Sequence, residues 1–467
     1  MSVENWVGFR PSRWFMSWAI GLMVFLCLAI LMAALMLLRQ GFVLREGIVS
    51  GSSMEPHLRG PRVRWQCSEC SLPFDFALDT CRPGRAVRCP RCGILSDQPL
   101  EADSLDVQPG EKVQNAPLRL MRSRRANEIS MGAAHPLGIA RGDLVVVRES
   151  SNAVREIKRI VGFPGEQVAI EEGDLWIDGN RFAKTLTQCL RQAILISAWQ
   201  RDTPDPAINL GAWKRNGGLL QGGTVRDESL QFCLNSGGQI DNQLVRNAHD
   251  THRVINASDI GLAIQFEQIP ESGKLSFSLN TLHSQETIGF EFNREQFFVV
   301  SERASTKIER SGVLSGGDKQ TNENTWLVVA IVDGALLVGT PYGEFVRESL
   351  PPSIQGLTPD GLQSASISST SSSDQQASER LGPIEIRVDN GEFRFESILV
   401  FRDIVYRGNQ DSASQIWESA NGIVVLGDNV STSSDSRDRW PVRPKITSVR
   451  GVIVESGNAI EDLLKQR

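Results

Sequence analysis

From Trp14 to Leu38 the chain runs for 25 residues without a charged side chain, with Arg10 and Arg13 before it and Arg39 after it. A helix rises about 1.5 Å per residue, so this run crosses a hydrocarbon core of about 30 Å with some tilt. A cleaved secretory signal has a shorter apolar core, of about 7 to 15 residues, and a small-residue cleavage site after it. The expectation is therefore a single transmembrane helix over 14–38, with everything after it forming one face of a membrane protein. No second comparable apolar stretch follows. Flanking charge does not set the orientation, because Arg39 and Arg45 balance Arg10 and Arg13.

The 467 residues leave ample length for two or three domains, and a net charge of -6 gives no support for nucleic-acid binding. Beyond the apolar run the pattern is mostly β. Short runs read as strands at Leu144–Arg148, Val154–Val161, Gln167–Ile170 and Leu175–Ile177, with Asp178-Gly179-Asn180 as a tight hairpin turn. A second series covers Leu262–Ile269, Lys274–Leu279, Thr287–Phe292, Gln296–Val300, Thr325–Val332 and Ala335–Val338. Alternation in Lys274-Leu275-Ser276-Phe277-Ser278-Leu279 marks a half-buried strand, and Asp333-Gly334 marks a turn between two apolar runs. Strands spaced at 8–12 residues predict a β-sandwich, weakly similar to the concanavalin-like jelly rolls around Trp326–Val338. Residues 358–383 are serine-dense and predict a flexible loop. Residues 94–134 turn to Asp, Glu, Gln, Pro and Arg and predict a linker or loosely ordered extension. Strands resume at Ile384–Val388, Glu392–Phe401, Ile423–Leu426 and Gly451–Val454.

Two segments carry the chemistry. Ser53 lies in Val49-Ser50-Gly51-Ser52-Ser53-Met54-Glu55-Pro56, and Lys158 lies in Ile157-Lys158-Arg159-Ile160-Val161-Gly162. An alcohol needs an adjacent group to take its proton as it attacks a carbonyl. A lysine serves only when uncharged, which burial among Ile157, Ile160 and Val161 promotes by desolvation.

These segments, with Arg141-Gly142-Asp143-Leu144-Val145-Val146-Val147 and Gly427-Asp428-Asn429-Val430-Ser431-Thr432-Ser433-Ser434-Asp435-Ser436-Arg437, resemble in order four blocks of the type I signal peptidases. These are membrane-bound Ser-Lys proteases that remove signal peptides from exported proteins. The resemblance implies Ser53 as nucleophile, Lys158 as general base, and Ser433, Asp435 and Arg437 as a supporting group, with Gly51, Met54 and Pro56 flanking the nucleophile. Three departures stand out. Val430-Ser431-Thr432 replaces the Arg-Asp-Asn that usually follows Gly-Asp-Asn. His57 stands where threonine is common. Gly51 stands where some members carry a serine that helps stabilise the oxyanion, leaving the backbone N–H of Ser53 to carry more of that charge.

Cys67-x-x-Cys70 and Cys89-x-x-Cys92 are separated by 18 residues. Four thiolates in two such knuckles fit a structural zinc of the ribbon type, and two disulfides are the alternative in an oxidising compartment. Cys81 lies between the pairs as a spare ligand. Cys189 and Cys233 form a disulfide or remain two buried thiols.

The expected organisation is a cytoplasmic N-terminus (1–13), the transmembrane helix (14–38), catalytic segments at 39–60, 136–186 and 396–467, a zinc-ribbon-like insertion and linker at 61–135, and a β-sandwich insertion at 187–395. Catalysis by serine and lysine needs no cofactor. The resemblance implies a single-pass protein of the cell membrane with its catalytic domain on the outer face. It also implies exported preproteins, membrane lipid and translocation machinery as partners, and cleavage after small residues. The alternative is a catalytically inactive, membrane-anchored binding protein that uses the β-sandwich and zinc module.

Overall fold

The computed structural model describes residues 13–40, 43–69, 71, 73–80, 106–130, 134–148, 155–171, 173–200, 208–209, 214–216, 219–222, 228–232, 259–268, 272–280, 285–293, 296–301, 310–313, 325–350, 384–406, 414–418, 422–430, 432–437, 445–455, 460 and 464. The chain is mostly β, as its alternating patterns predict. The predicted serine-dense loop and Cys70, Cys81, Cys89, Cys92 and Cys233 lie outside the described residues.

The first element is a helix, α1 (Arg13–Gln40), 28 residues long. Its described side chains are all exposed, including Phe25 at 70% and Ile30 at 66%. The side chains at 13–16, 19 and 37–40 lie outside the described residues, and among those described no helix is long and apolar enough to cross a membrane.

A six-stranded antiparallel sheet carries the blocks with Lys158 and Gly427. Its order is Arg45–Ile48, Lys112–Ala116, Val449–Glu455, Leu144–Arg148, Arg155–Gly162 and Val424–Leu426. The strand Lys112–Ala116 corrects the reading of 94–134 as a loose linker. Only Val113 and Ala116 are apolar in it, and both are buried. Its hydrogen-bond partners come from segments remote in sequence, so no local pattern announces it. Two short helices, Leu118–Arg124 and Ala126–Ser130, continue that same stretch. A four-stranded sheet, Asn180–Arg181, Asp174–Ile177, Gln167–Glu171 and Ser414–Glu418, lies beside it in the chain path. Its hairpin turns through Asp178 and Gly179, both with positive φ, as the Asp-Gly-Asn signal predicts.

The sandwich is built from two sheets. One runs Ile208–Asn209, Glu228–Phe232, Ile384–Asn390, Ser272–Asn280, Gln285–Asn293, Gln296–Ser301 and Arg310–Val313. The other runs Lys214–Asn216, Leu219–Gly222, Phe393–Arg402, Ile260–Gln268, Thr325–Val332, Ala335–Thr340 and Gly343–Ser349, with Ile194–Gln200 also pairing to Phe393–Arg402. A strand therefore passes through position 395, the expected end of the insertion. Between the sheets, Phe266, Phe277, Phe290, Phe292, Phe393 and Phe395 are each 3% exposed or less. Phe266 meets Phe395 edge-on at 5.4 Å, and Phe292 meets Phe393 likewise at 5.4 Å. Each such side chain contributes about 1.5–3 kcal/mol through burial, and each aromatic pair about 0.5–1.5 kcal/mol more.

The second sheet is buried on both faces. Ala263, Val328, Ala330, Leu337 and Phe401 on its outer side pack in one cluster with Leu186, Cys189 and Leu190 of the helix Leu186–Gln192. That helix begins with a capping box, in which Thr185 accepts from the Gln188 N–H and the Gln188 side chain accepts from the Thr185 N–H. Cys189 is a free thiol in this layer, and burial pushes its pKa well up.

Candidate functional site

The segment around Ser53 is a tight turn held from three directions. Inside it, Glu55 N–H donates to the Ser52 carbonyl at 3.0 Å and Leu58 N–H to the Met54 carbonyl at 3.0 Å. Met54 and Leu58, 1% and 0% exposed, sink into a cluster with Val49, Val113 and Leu144, so the Lys112–Ala116 strand is part of the turn's footing. Asp79 caps the turn from the outside, its Oδ2 accepting from the Ser52 N–H at 2.8 Å and the Ser52 hydroxyl at 3.0 Å. From the third side, Asn429 donates its backbone N–H to the Ser53 carbonyl at 3.1 Å and its side-chain amide to the Ser52 carbonyl at 3.1 Å.

Lys158 sits in the strand Arg155–Gly162 opposite Val145 and is 4% exposed. Its Nζ donates to Ser433 Oγ at 2.9 Å and stands 3.9 Å from Glu156 Oε2. Ser433 reaches it because the chain doubles back after Val424–Leu426. Ser433 N–H donates to the Asn429 carbonyl, and Ser436 N–H donates to the Val425 carbonyl. Gly427 makes the crossing possible. A Cβ built there would lie 2.0 Å from Ser433 Oγ and 2.6 Å from the Ser53 carbonyl oxygen, distances no side chain tolerates. The same glycine thus has the Ser53 backbone and the partner of Lys158 against it.

Asp435 and Arg437 brace this loop. Arg437 grips Asp435 through Nε to Oδ1 at 2.8 Å and Nη2 to Oδ2 at 2.7 Å, and the Gly427 N–H donates to Asp435 Oδ2 at 2.8 Å. Burial would raise the Asp435 pKa, but these bonds hold it below its ordinary value. The structure thus brings Ser53, Lys158, Ser433, Asp435 and Arg437 into one region, with Gly51, Met54 and Pro56 in the turn itself. A Cβ at Gly51 would be 3.5 Å from Asp79 Oδ2.

Sequence reasoning gave no role to three neighbours, of which only His57 stood out, as a departure from the family pattern. Arg159 pairs with Asp428 through Nε to Oδ1 at 2.7 Å and Nη2 to Oδ2 at 2.5 Å. His57 Nδ1 stands 2.9 Å from Asp428 Oδ2, a contact with the length of a hydrogen bond but not its alignment. Burial opposes the charge on Asp428, yet Arg159 and His57 bring its pKa down to about 2. Glu55 is the third. It is 5% exposed, its Oε1 has no partner among the described residues, and burial lifts its pKa to about 7 despite Arg62 and Arg59. Glu55, Arg159 and Asp428 lie inside the quoted blocks and His57 just after one, but nothing in the sequence marked their pairing. Asp79 carried no signal, because it lies between the cysteines of the predicted metal module.

Cys67 is the one ligand candidate of that module among the described residues. It is buried, and its carbonyl accepts from the N–H of Ser71, whose φ is 56°. Elsewhere, carboxylate oxygens of Asp174, Asp259 and Asp333 lie within 4.8 Å of one another. A cation of the chain already serves this cluster. Lys184 Nζ is 2.8 Å from Asp333 Oδ1 and 2.6 Å from Asp403 Oδ2, and Arg181 Nε is 3.3 Å from Asp174 Oδ2.

Residues 101–225 match the family model for signal peptidase, peptidase S26, which supports the signal peptidase family and with it a serine peptidase hydrolase. The match takes in the Lys158 strand but neither the Ser53 turn nor the Gly427–Arg437 loop. No curated protein matches the chain. Among solved structures, the exoplasmic/lumenal domain of VIP36 in its Ca2+/Man3GlcNAc-bound form is similar at 8% identity and a TM-score of 0.27, covering 47% of this chain and 93% of that one. Alginate lyase from Pseudomonas aeruginosa is similar at 10% identity and a TM-score of 0.21, covering 51% and 98%. Overlaps this slight carry no functional reading.

Proposed function

We propose that this chain is a membrane-anchored signal peptidase I that cleaves exported preproteins after small residues, with Ser53 as nucleophile and Lys158 as general base. The observation that carries the reading is the convergence on Gly427, where the Ser53 carbonyl and the hydroxyl bound to Lys158 Nζ approach the same Cα. Three segments far apart in sequence meet there with the residue types that acyl transfer needs.

In the reaction, Ser53 Oγ attacks the scissile carbonyl and its proton passes to Lys158, which then protonates the leaving amine. Water releases the acyl-enzyme by the same route. The base must meet the nucleophile uncharged, and burial works in that direction. Ser433 fixes the Nζ of Lys158 and is itself placed by the braced loop. The Ser52 hydroxyl is committed to Asp79, so the oxyanion falls to the Ser53 N–H, with Gly51 contributing no hydroxyl.

Helix α1 anchors the enzyme in the membrane. At about 1.5 Å per residue its 28 residues reach beyond a bilayer core, and its described apolar side chains are exposed. The catalytic body then lies on the outer face, near a substrate whose signal sequence is itself in the bilayer. The buried thiol and turn at Cys67 fit a zinc knuckle completed by Cys70, Cys89 and Cys92, a structural site without a role in the bond cleavage.

The test is processing of a model preprotein by the full chain in detergent or liposomes. Wild type should release the mature product, and Ser53→Ala and Lys158→Ala should each lower the rate by at least about a thousandfold. Equal processing by all three would overturn the assignment and favour the binding-protein alternative.

A further inference from the structure

We propose that His57 is a positioning residue that clasps the nucleophile turn to the strand bearing the base, through Asp428. The proposal rests on the signal-peptidase reading and deepens it. His57 lies in the Ser53 turn, one residue before Leu58, whose N–H closes that turn onto Met54. Arg159 is the immediate neighbour of Lys158. Asp428 is the residue after Gly427, in the loop that delivers Ser433. One carboxylate, carried by the third catalytic segment, therefore contacts the other two.

The geometry of that carboxylate is restrictive. Asp428 has a fully buried side chain, and the side chains of His57 and Arg159 are each 3% exposed. Arg159 occupies both Asp428 oxygens in a fork, and its Nη1 donates to the Gly142 carbonyl at 2.6 Å. A guanidinium held at three points cannot slide along the strand, so the carboxylate is fixed relative to Lys158. The imidazole 2.9 Å from Asp428 Oδ2 then transmits that position to the Ser53 turn. Successive strand residues point to opposite faces, so Arg159 secures the side of the strand that Lys158 does not. A shift of about 1 Å between nucleophile and base is enough to lose about a hundredfold in rate, and this contact opposes such a shift.

A histidine that only fills space would be replaced without loss by an apolar residue of similar size. His57→Leu and His57→Asn separate the two roles, since the asparagine amide supplies a donor near the place of Nδ1. With a preprotein substrate, His57→Leu should lower kcat by about a hundredfold with KM within about threefold, and His57→Asn should recover kcat to within about tenfold of wild type. Hydrogen exchange of the amides between Met54 and Leu58 should quicken by about tenfold or more in His57→Leu and stay near wild type in His57→Asn. Full kcat in His57→Leu, or equal losses in both variants, would overturn the proposal. An inactive wild type would instead overturn the signal-peptidase reading. The exchange experiment would still decide whether His57 holds the turn, with unchanged protection in His57→Leu ruling it out.

Discussion

Two buried clusters in this protein set aspartates against basic side chains and reach opposite electrostatic states. In the body that carries Ser53 and Lys158, Asp428 meets Arg159 and His57, and its pKa falls to about 2. Where the sandwich joins that body, Lys184 serves Asp333 and Asp403, while Asp174 and Asp259 crowd in beside them. There burial dominates and mutual repulsion adds to it, pushing Asp174 up to about 7, Asp259 well up, and Asp333 up despite Lys184. Lys184 itself is driven well above its ordinary value, because the surrounding carboxylates outweigh the burial that opposes its charge. The difference is one of stoichiometry. One acid with two basic partners is held ionised, whereas Asp174, Asp259 and Asp333, crowded together with Asp403 around Lys184 and Arg181, are pushed towards their protonated forms.

The largest effect should come from removing the junction's ammonium. Lys184→Met leaves buried carboxylates without their shared cation and should cost about 3–5 kcal/mol at pH 8 by urea denaturation, with part of the loss regained at pH 5. The sign follows from linkage. Groups with raised pKa values, such as Asp174 at about 7 against 3.8 unfolded, contribute stability that is present below 3.8 and is lost as pH rises through about 7. Asp428→Asn attacks the other cluster and should cost about 3 kcal/mol, since it leaves Arg159 buried with a neutral partner. Asp428 contributes stability above 3.8 that is lost only as pH falls through about 2, so the Asn penalty should be the same at pH 5 and pH 8.

Glu55 behaves like a junction acid placed inside the Ser53 turn. Its pKa of about 7 against 4.5 makes its ionisation cost about 3 kcal/mol at pH 8, so Glu55→Gln should raise the urea midpoint at pH 8 and leave it nearly unchanged at pH 5. Asp259→Asn removes one surplus acid while keeping an oxygen for the Asp333 N–H, and should stabilise by about 1 kcal/mol at pH 8. Loss of stability there would show the junction to be balanced after all. The smallest effect belongs to the exposed cross-strand pair Lys274–Glu291, where Lys274→Ala should change stability by less than about 1 kcal/mol.

Local order was readable in this chain, and long-range pairing was not. The sandwich strands follow the alternation and turn residues that mark them, and Asp333 and Gly334 take the positive φ values of the expected tight turn. The blocks around Ser53, Lys158 and Gly427–Arg437 stood out because each is a compact motif. Lys112–Ala116 was missed because its strand character comes from neighbours at Arg45–Ile48 and Val449–Glu455 rather than from its own residues. The bond between Arg159 and Asp428 spans 269 positions, and that between Ser52 and Asp79 joins the nucleophile turn to a segment read only for its cysteines. Partners of this kind are chosen by the folded sheet, and short-range periodicity does not encode them.

The sandwich begins at Ile194 and ends at Arg402, and these two residues face each other across an antiparallel pair. To the rest of the chain, that whole insert is therefore a plug with both leads in one socket. Once folded, it asks of its host no more closure entropy than a hairpin loop would. An ancestor could have acquired it, and a descendant could enlarge or exchange it, without re-threading the turn that carries the serine or the strand that carries the lysine.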